Sequence, residues 1–258
     1  MSKLCIMTIC LDSMPYITWH LPVFNRLTIP WRWIVAEGAA MNVKDTAWCR
    51  PQTPRLSNDG TTEYLNSLKG HPRITVLQRP SWDGKVEQCN ACLALIKEPC
   101  LLLQVDSDEL WTAEQLETLV SFFNAYEQIK SARFLCRYFL GVNVHITSRN
   151  GYGNHPGEWL RAWRFEPGMK FLKHEPPVLA GCEGPCATRE QTAEVGLVFD
   201  HWAYVFEKQV AYKEQFYGYK DAVKHWRRLQ ENKIWPVKNL QSFLPWVGPG
   251  VTADRLFT

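Results

Sequence analysis

Residues 100–109 read Cys-Leu-Leu-Leu-Gln-Val-Asp-Ser-Asp-Glu, an apolar run that ends directly in a cluster of acids. Residues 100–105 are the most continuously apolar strand candidate of the chain, which is typical of a central parallel strand covered on both faces. In an open parallel sheet, ligands bind outside the carboxyl ends of the strands. The pattern therefore predicts a buried central strand that directs Asp106 and Asp108 into a ligand-binding crevice.

Strand and helix signals alternate on both sides of this stretch in the first half of the chain. Pro99 ends the helix before the central strand, and Thr112 is the predicted N-cap of the helix after it. The alternation predicts an α/β domain with a mostly parallel central sheet flanked by helices. The predicted strands cover residues 4–11, 31–36, 73–78 and 100–105, and the predicted helices cover residues 61–68, 84–97 and 112–128.

The second half loses this regular alternation. Residues 132–146 are typical of a pair of strands. Three segments, 150–155, 158–165 and 173–184, are rich in Gly, Pro or aromatic residues, and we interpret them as mobile, substrate-facing structure at the edge of the sheet. A helix rich in Lys, Arg and aromatic residues is predicted over 204–231, and a tail follows it.

Charge and composition exclude several classes of protein. Lys and Arg number 29 and Asp and Glu number 26 in 258 residues, which leaves a net charge of +3. This balance does not favour nucleic-acid binding by long-range attraction. No apolar run approaches the roughly 18 residues of a membrane-spanning helix, and the first residues have the pattern of a strand and not of a secretory signal. The basic segment 204–231 leaves peripheral contact with a membrane open.

The chain has nine Cys, and several of them lie in apolar strand-like stretches. Reduced thiols pack there as small hydrophobes, which favours a reducing cytoplasm as the location. A four-thiolate zinc site built from Cys89, Cys92, Cys182 and Cys186 is an alternative use of four of them. The helical spacing opposes this site, because Cys92 would face the core.

Asp106 and Asp108 provide two hard carboxylates in a strand-to-loop turn. Mg²⁺ and Mn²⁺ prefer such oxygen ligands and usually share them with substrate phosphates. A diphosphate leaving group needs this neutralisation as its charge develops. The simpler alternative is a set of acids that caps the next helix. A Gly-x-x-x-x-Gly-Lys phosphate loop is absent from the sequence, which argues against ATP hydrolysis by a P-loop protein.

Three segments occur in a characteristic order, namely Glu37-Gly38, Trp82-Asp-Gly-Lys85 leading to Gln88-Cys-Asn90-Ala-Cys-Leu93, and Asp106-Ser-Asp108. In this order the chain resembles glycosyltransferase family 2. The resemblance implies a GT-A fold, a nucleotide-sugar donor with uridine as the predicted base, a divalent cation, and transfer of a hexose-like sugar with inversion. The acceptor is a hydroxyl of an unknown glycan, lipid or protein. The chain departs from the family pattern at Ala36 and Cys92, and this leaves the base open.

The resemblance assigns roles to residues of the first half. It implies that Glu37 binds the base or ribose, that Lys85 faces the donor phosphates, and that Asn90 lines the donor pocket. Asp106 and Asp108 then bind the cation, and Asp106 also faces the ribose. On this basis residues 1–130 form the nucleotide-sugar-binding half, 131–203 the acceptor-side half of the same domain, and 204–258 a C-terminal helical extension.

The second half adds weaker matches to a subset of the family. Arg161 and Arg164 resemble residues that clamp the diphosphate. Because residues three apart on a strand face opposite sides, we expect one of the two to do so. His201, in a segment that resembles a His-Tyr-Gly-Tyr element, would complete the shell of the cation beside Asp108.

An inverting transfer needs a carboxylate that takes the proton of the acceptor hydroxyl. Glu175 is the first candidate, because it lies beside His174 in a His-Glu element on a Pro-stiffened loop. Glu158 is the second candidate, and the role of His174 stays open. Two other functions use the same sheet: a sugar-nucleotide pyrophosphorylase, and a nucleotide- or carbohydrate-binding module without catalysis.

Overall fold

The structure is a computed structural model that describes residues 3–41, 47, 49, 50 and 52–256. These residues form fourteen strands and seven α-helices. The strands are β1 (Leu4–Cys10), β2 (Trp31–Ala40), β3 (Ile74–Trp82), β4 (Cys100–Gln104), β5 (Glu109–Leu110), β6 (Ser131–Arg133), β7 (Leu135–Gly141), β8 (Val144–Ile146), β9 (Leu160–Phe165), β10 (Lys170–His174), β11 (Pro177–Ala180), β12 (Cys186–Ala187), β13 (Val198–His201) and β14 (Ala253–Arg255). The helices are α1 (Ile17–Phe24), α2 (Thr61–Ser67), α3 (Gly84–Leu93), α4 (Ala113–Ala125), α5 (Arg189–Glu194), α6 (Glu207–Tyr217) and α7 (Ala222–Gln230).

A seven-stranded sheet in the order β12-β6-β9-β4-β1-β2-β3 forms the centre of the fold. The four strands β4, β1, β2 and β3 pair in parallel. All five residues of β4 are buried, as its continuous apolar run predicts. The predicted α/β fold with a mostly parallel central sheet is confirmed, and the carboxyl ends of these strands lie at one edge.

Both faces of this sheet are covered by apolar side chains. Leu4 and Ile6 of β1 belong to one buried cluster, whereas Cys5 and Met7 belong to another. Alternate residues of a strand point to opposite faces. The helices therefore shield β1 on both sides, and six of its seven residues are buried.

β9 corrects the prediction that residues 158–165 lie at the edge of the sheet. This strand lies inside the sheet, antiparallel to β4 on one side and to β6 on the other. Ala162 and Trp163, adjacent residues that face opposite sides, are both buried. The sequence pattern concealed this position because Arg161 and Arg164 interrupt the apolar residues, and both arginines have hydrogen-bond partners inside the protein.

A five-stranded sheet in the order β14-β8-β7-β13-β5 contains much of the second half. The predicted strand pair over 132–146 is in fact three strands, of which β6 joins the central sheet while β7 and β8 join this one. β13 pairs antiparallel with β5, so that His201 lies opposite Glu109. This pairing brings the end of β13 to the acidic turn that follows β4.

Three helices differ from the prediction in their bounds by more than one residue, although one of them, α4, begins as predicted and ends at Ala125 instead of residue 128. α3 ends at Leu93, before the predicted end at residue 97. The helix predicted over 204–231 is two helices, because Gly218 and Asp221 between them have φ angles of 76° and 56°, which an α-helix does not accept. The Thr112 side chain accepts a hydrogen bond from the Gln115 amide in a capping box at the start of α4.

None of the helices within the described ranges is long and apolar enough to cross a bilayer.

The cysteine pairs considered for zinc do not form a metal site. Cys89 and Cys92 are buried in the apolar cluster under α3. The Cys182 thiol donates a hydrogen bond to the Lys130 carbonyl at 3.2 Å. In the part of the chain that the structure describes, no group of three or more Cys, His, Asp or Glu is arranged to hold a metal ion. The helical packing of the first pair explains this outcome.

Candidate active site

A cavity of about 660 Å³ opens at the edge where the parallel strands end. It is lined by residues that follow β1 and β4, by the turn between β10 and β11, by the end of β13 and by one face of α6. Sheets of this kind bind ligands at this position. The charged and ionisable residues of its wall include Lys85, Asp106, Asp108, Glu158, Arg161, His174, Glu175, His201 and Lys213.

The two acids of the turn after β4 have different partners. Asp106 accepts a hydrogen bond from Arg161 Nη2 at 3.0 Å. Asp108 accepts one from Gln209 Nε2 at 3.1 Å and lies 3.5 Å from His201 Nε2. Burial opposes the ionisation of both carboxyl groups, but neighbouring positive groups and hydrogen-bond donors hold the pKa of each below its usual range. Both acids are therefore ionised near neutral pH.

His20 of α1 holds the backbone of this turn from behind. Its Nε2 lies 2.9 Å from the Ser107 carbonyl oxygen, so this nitrogen carries the proton and donates. His20 is 3 % exposed. Burial lowers its pKa to about 4, although Ser107 and Asp108 oppose the shift. His20 could not be identified from the sequence, because its partner is a backbone atom 87 residues along the chain.

The stability of the fold is expected to decrease on acidification through His20. Its imidazole ionises near pH 6.5 in an unfolded chain but at about 4 in the folded protein. The contribution of neutral His20 to the free energy of unfolding is therefore complete above about pH 6.5, and it is lost as the pH falls towards 4. The difference between these two pKa values corresponds to about 3 kcal/mol of unfolding free energy.

Urea denaturation near pH 7 and near pH 4.5, with the wild type and His20→Gln, measures this contribution. Gln keeps a donor for the Ser107 carbonyl but does not titrate. The variant should therefore lose less stability on acidification than the wild type does. The same loss in both proteins would show that His20 does not titrate as described.

Arg161 and Arg164 have different partners on the two sides of β9. Arg161 donates from Nε and Nη2 to Oε1 of the buried Glu109, at 2.9 and 2.7 Å. Arg164 donates to the Ile129 carbonyl at 2.8 Å, beyond the end of α4. The two side chains face opposite sides of the strand, as their spacing predicts. Of the two, Arg161 lines the cavity and Arg164 does not.

Lys85 at the start of α3 forms an ion pair with Glu175. His174 Nδ1 lies 3.5 Å from the same carboxylate. Burial favours the neutral acid, but His174 and Lys85 hold the pKa of Glu175 well below its usual range. The lysine predicted to face the donor phosphates and the glutamate predicted to act as the base therefore contact each other directly.

Glu37 and Asn90 lie behind the cavity and do not line it. Glu37 is fully buried at the end of β2, and its carboxylate accepts hydrogen bonds from the Thr62 hydroxyl and from Gln78 Nε2, the latter at 2.8 Å. The Asn90 side chain exchanges two hydrogen bonds with the backbone of Phe171, which ties α3 to β10. Their polar atoms thus have partners inside the protein, and direct contact of either residue with a donor stays a prediction.

Asp108 and His201 are well placed to share a cation. Their Oδ2 and Nε2 atoms are 3.5 Å apart, a separation that two ligands of one metal ion can have, since each metal–ligand bond is ~2.1 Å. His201 Nδ1 is buried and has no hydrogen-bond partner among the described residues. Since this pair supplies two ligands, phosphate or water oxygens would have to complete the shell, as is usual for Mg²⁺ and Mn²⁺.

The cavity also has an aromatic wall, which we define as Tyr138, Tyr152, Trp159, Tyr204 and Tyr219. Tyr152 and Tyr204 join their hydroxyl groups in a hydrogen bond of 2.9 Å. Glu158 lies next to Trp159 and accepts a hydrogen bond from the His155 amide at 2.8 Å. Burial raises the pKa of Glu158. This side of the cavity offers flat apolar faces together with hydroxyl groups.

α6 lies in the basic segment 204–231, and its contribution to the cavity was not predicted from the sequence. Tyr212, Lys213, Phe216 and Tyr217 of this helix line the cavity, and Gln209 binds Asp108. These five residues occupy positions i, i+3, i+4, i+7 and i+8, which places them on one face of a helix. That spacing is the signal that would have identified the face.

Comparison with known proteins identifies the family. The sequence model described as "Glycosyl transferase family 2" matches residues 56–187, slightly more than half of the 258 residues. No curated protein matches the chain. One similar solved structure is TarS 1-349 from S. aureus in complex with UDP, at 14 % identity and a TM-score of 0.44, with 63 % of this chain and 46 % of that chain covered. Our chain therefore spans less than half the length of that structure.

A second similar structure is the mannosyltransferase PcManGT from Pyrobaculum calidifontis in complex with GDP-Man and Mn²⁺. The identity is 12 %, the TM-score is 0.49, and 90 % of this chain and 65 % of that chain are covered. The family match includes Lys85, the acidic turn, Arg161 and Glu175, all of which line the cavity. The chain belongs to glycosyl transferase family 2, with a GT-A type α/β fold.

Proposed function

We propose that this protein transfers a sugar from a nucleoside diphosphate donor, linked to uridine, to an acceptor hydroxyl with inversion and with the help of a divalent cation. The observation that carries the proposal is the cavity itself. It combines the ionised pair Asp106 and Asp108 with the cationic side chains of Lys85, Arg161 and Lys213 at the carboxyl edge of a parallel sheet. A donor diphosphate needs positive groups, and a cation that neutralises it needs carboxylates.

Asp108 and His201 are the residues that would hold the cation, with Asp106 close by. A bound Mn²⁺ or Mg²⁺ supplies neutralisation of the charge that develops on the leaving diphosphate. Arg161 supports the acidic turn at this site, because its guanidinium fixes Asp106 and Glu109 in place. Because Asp106 is oriented towards Arg161, we take Asp108 as the principal protein ligand of the cation.

Glu175 is the group that we propose as the base. The acceptor oxygen attacks the anomeric carbon from the face opposite to the diphosphate, and the carbon–oxygen bond to the diphosphate breaks. The acceptor proton passes to the Glu175 carboxylate, and the nucleoside diphosphate leaves with the electron pair. Ionisation of Glu175 is secured by its contacts with Lys85 and His174. Glu158 is the alternative base, on the side of the aromatic wall.

The aromatic wall supports a saccharide as the acceptor. Sugar rings stack their C–H faces on aromatic rings, and their hydroxyl groups find hydrogen-bond partners in tyrosines. Tyr138 and Trp159 both contact His201, each with ring centroids 4.8 Å from the imidazole. An acceptor ring stacked there would lie beside the proposed cation site.

Turnover of a panel of nucleotide sugars tests the proposed function. Uridine- and guanosine-linked hexoses are incubated with the protein and Mn²⁺, and the released nucleotide is identified by chromatography. A transferase releases the nucleoside diphosphate, more slowly when water is the acceptor, and a chelator should abolish the release. Formation of pyrophosphate from a nucleoside triphosphate and a sugar phosphate would instead identify a pyrophosphorylase. Binding of a donor without any turnover would identify a binding module.

A further inference from the structure

α6 is attached directly to the turn that carries the two acids. Gln209 in the first turns of this helix donates to Asp108 Oδ2 at 3.1 Å and to the Trp202 carbonyl at 2.7 Å. Its amide oxygen accepts a hydrogen bond from the Tyr16 hydroxyl at 2.9 Å. These contacts fix the position of the helix relative to Asp108.

Lys213 lies one turn after Gln209, on the same face of α6. Its Nζ is 3.8 Å from Asp108 Oδ2 and 4.7 Å from the centroid of the Tyr204 ring. The side chain is 16 % exposed, and it lines the cavity. No hydrogen bond of its ammonium group is found within the described ranges.

The three cationic side chains of the cavity differ in what they already bind. Arg161 directs its guanidinium at Glu109 and Asp106 through hydrogen bonds of 2.7–3.0 Å. Lys85 is bound to Glu175. Lys213 has a carboxylate only at 3.8 Å, longer than a charge-assisted hydrogen bond.

A largely buried ammonium group with unused donors is costly to maintain, because it has lost water without gaining acceptors. It has three N–H donors, and its nearest anion is one of the proposed metal ligands. An anion that enters the cavity beside Asp108 would supply the missing acceptors. Phosphate oxygens are suited to this, since lysine binds them as a compact charge.

We propose that Lys213 binds the diphosphate of the donor and stabilises it as the leaving group. The proposal rests on the proposed function, because it takes the donor to be a nucleoside diphosphate. It adds a cationic group from α6 beside the proposed metal ligand Asp108. α6 is thereby a part of the donor site.

Binding of inorganic pyrophosphate and of UDP, measured by calorimetry with and without Mn²⁺, tests this role in Lys213→Met. Pyrophosphate serves as the probe because it reports the phosphate contacts whatever the base. We expect at least about tenfold weaker binding of both probes, which corresponds to the loss of a hydrogen bond between charged groups. Lys213→Arg, which keeps a cation, should recover part of the affinity. The free nucleoside uridine should bind equally to all variants.

Lys208→Met is the matched control. Lys208 lies on the same helix, its side chain is 59 % exposed, and its nearest acid is Asp59 at 3.9 Å. The control should bind pyrophosphate as the wild type does. It removes a positive charge from α6 without removing a contact in the cavity, and therefore distinguishes the two effects. Thermal unfolding of each variant reports whether the fold is retained.

Two results would overturn the proposal. One is wild-type affinity of Lys213→Met for pyrophosphate and UDP, which would make Lys213 a structural counter-ion of Asp108. The other is an equal loss in Lys208→Met, which would reduce the effect to general electrostatics. Either result leaves the proposed function intact if the wild type turns over a donor. Absence of turnover and of nucleotide binding in the wild type would instead refute the proposed function.

Discussion

Asp108→Asn is expected to lower kcat/KM for sugar transfer by about 10³-fold, since a metal ion contributes several kcal/mol to stabilising a charged transition state. The substitution keeps the shape of the side chain and its hydrogen bond with Gln209, but it removes the charge that faces His201 at 3.5 Å. Activity is measured as released nucleoside diphosphate over a series of Mn²⁺ concentrations. The Mn²⁺ concentration for half-maximal activity should also rise.

Asp200→Asn is the matched control for this experiment. Asp200 precedes His201 on β13, but its carboxylate binds Arg137 at 2.6 and 2.7 Å and does not line the cavity. This variant should keep the turnover and the Mn²⁺ dependence of the wild type. If Asp108→Asn also kept both, Asp108 would not be a metal ligand, and the cation would have to be assigned elsewhere.

Glu175→Gln is expected to lower kcat for sugar transfer by about 10²–10⁴-fold, which is the usual contribution of a general base. Donor binding should change much less, because the residue acts on the acceptor hydroxyl. The contacts with His174 and Lys85 keep the pKa of the carboxyl well below its usual range. The carboxylate therefore stays ionised, and the acid limb of the pH profile of kcat/KM should lie below the usual glutamate value of about 4.3.

Glu158→Gln distinguishes the two candidate bases. The pKa of Glu158 is raised by burial, so a base at this position would move the acid limb above the usual glutamate range. A full loss of kcat in Glu158→Gln with activity retained in Glu175→Gln would reverse our assignment. Loss of donor binding in Glu175→Gln would show that Glu175 acts mainly by positioning Lys85.

Most of the central sheet could be predicted from local patterns. β4 was predictable because a strand covered on both faces is continuously apolar, and all five of its residues are buried. The start of α4 was predictable because Thr112 and Gln115 form a capping box within four residues. β9 was misplaced because its pairing with β4 and β6 depends on contacts with residues about thirty to sixty positions away, and its two arginines gave it the appearance of an exposed strand.

Part of the candidate site could also be predicted from local patterns. The acids of the turn after β4 were found because a strand end has a fixed relation to the crevice of a parallel sheet. The two arginines of β9 were correctly expected to face opposite sides, since that follows from the period of a strand. The ion pair of Lys85 with Glu175 was not foreseen, because the two residues meet only through the packing of α3 against the β10–β11 hairpin.

By itself, the sequence determined the class of fold, the order of β1 to β4 with α2, α3 and α4, and the position of Asp106-Ser-Asp108 at the end of a buried strand. These features depend on interactions between residues that are close along the chain. Only the tertiary structure decided that His20 supports Ser107 and that Lys213 of α6 reaches the acidic turn. Side chains that are distant in sequence meet through strand pairing and helix packing, and no local spacing encodes those contacts.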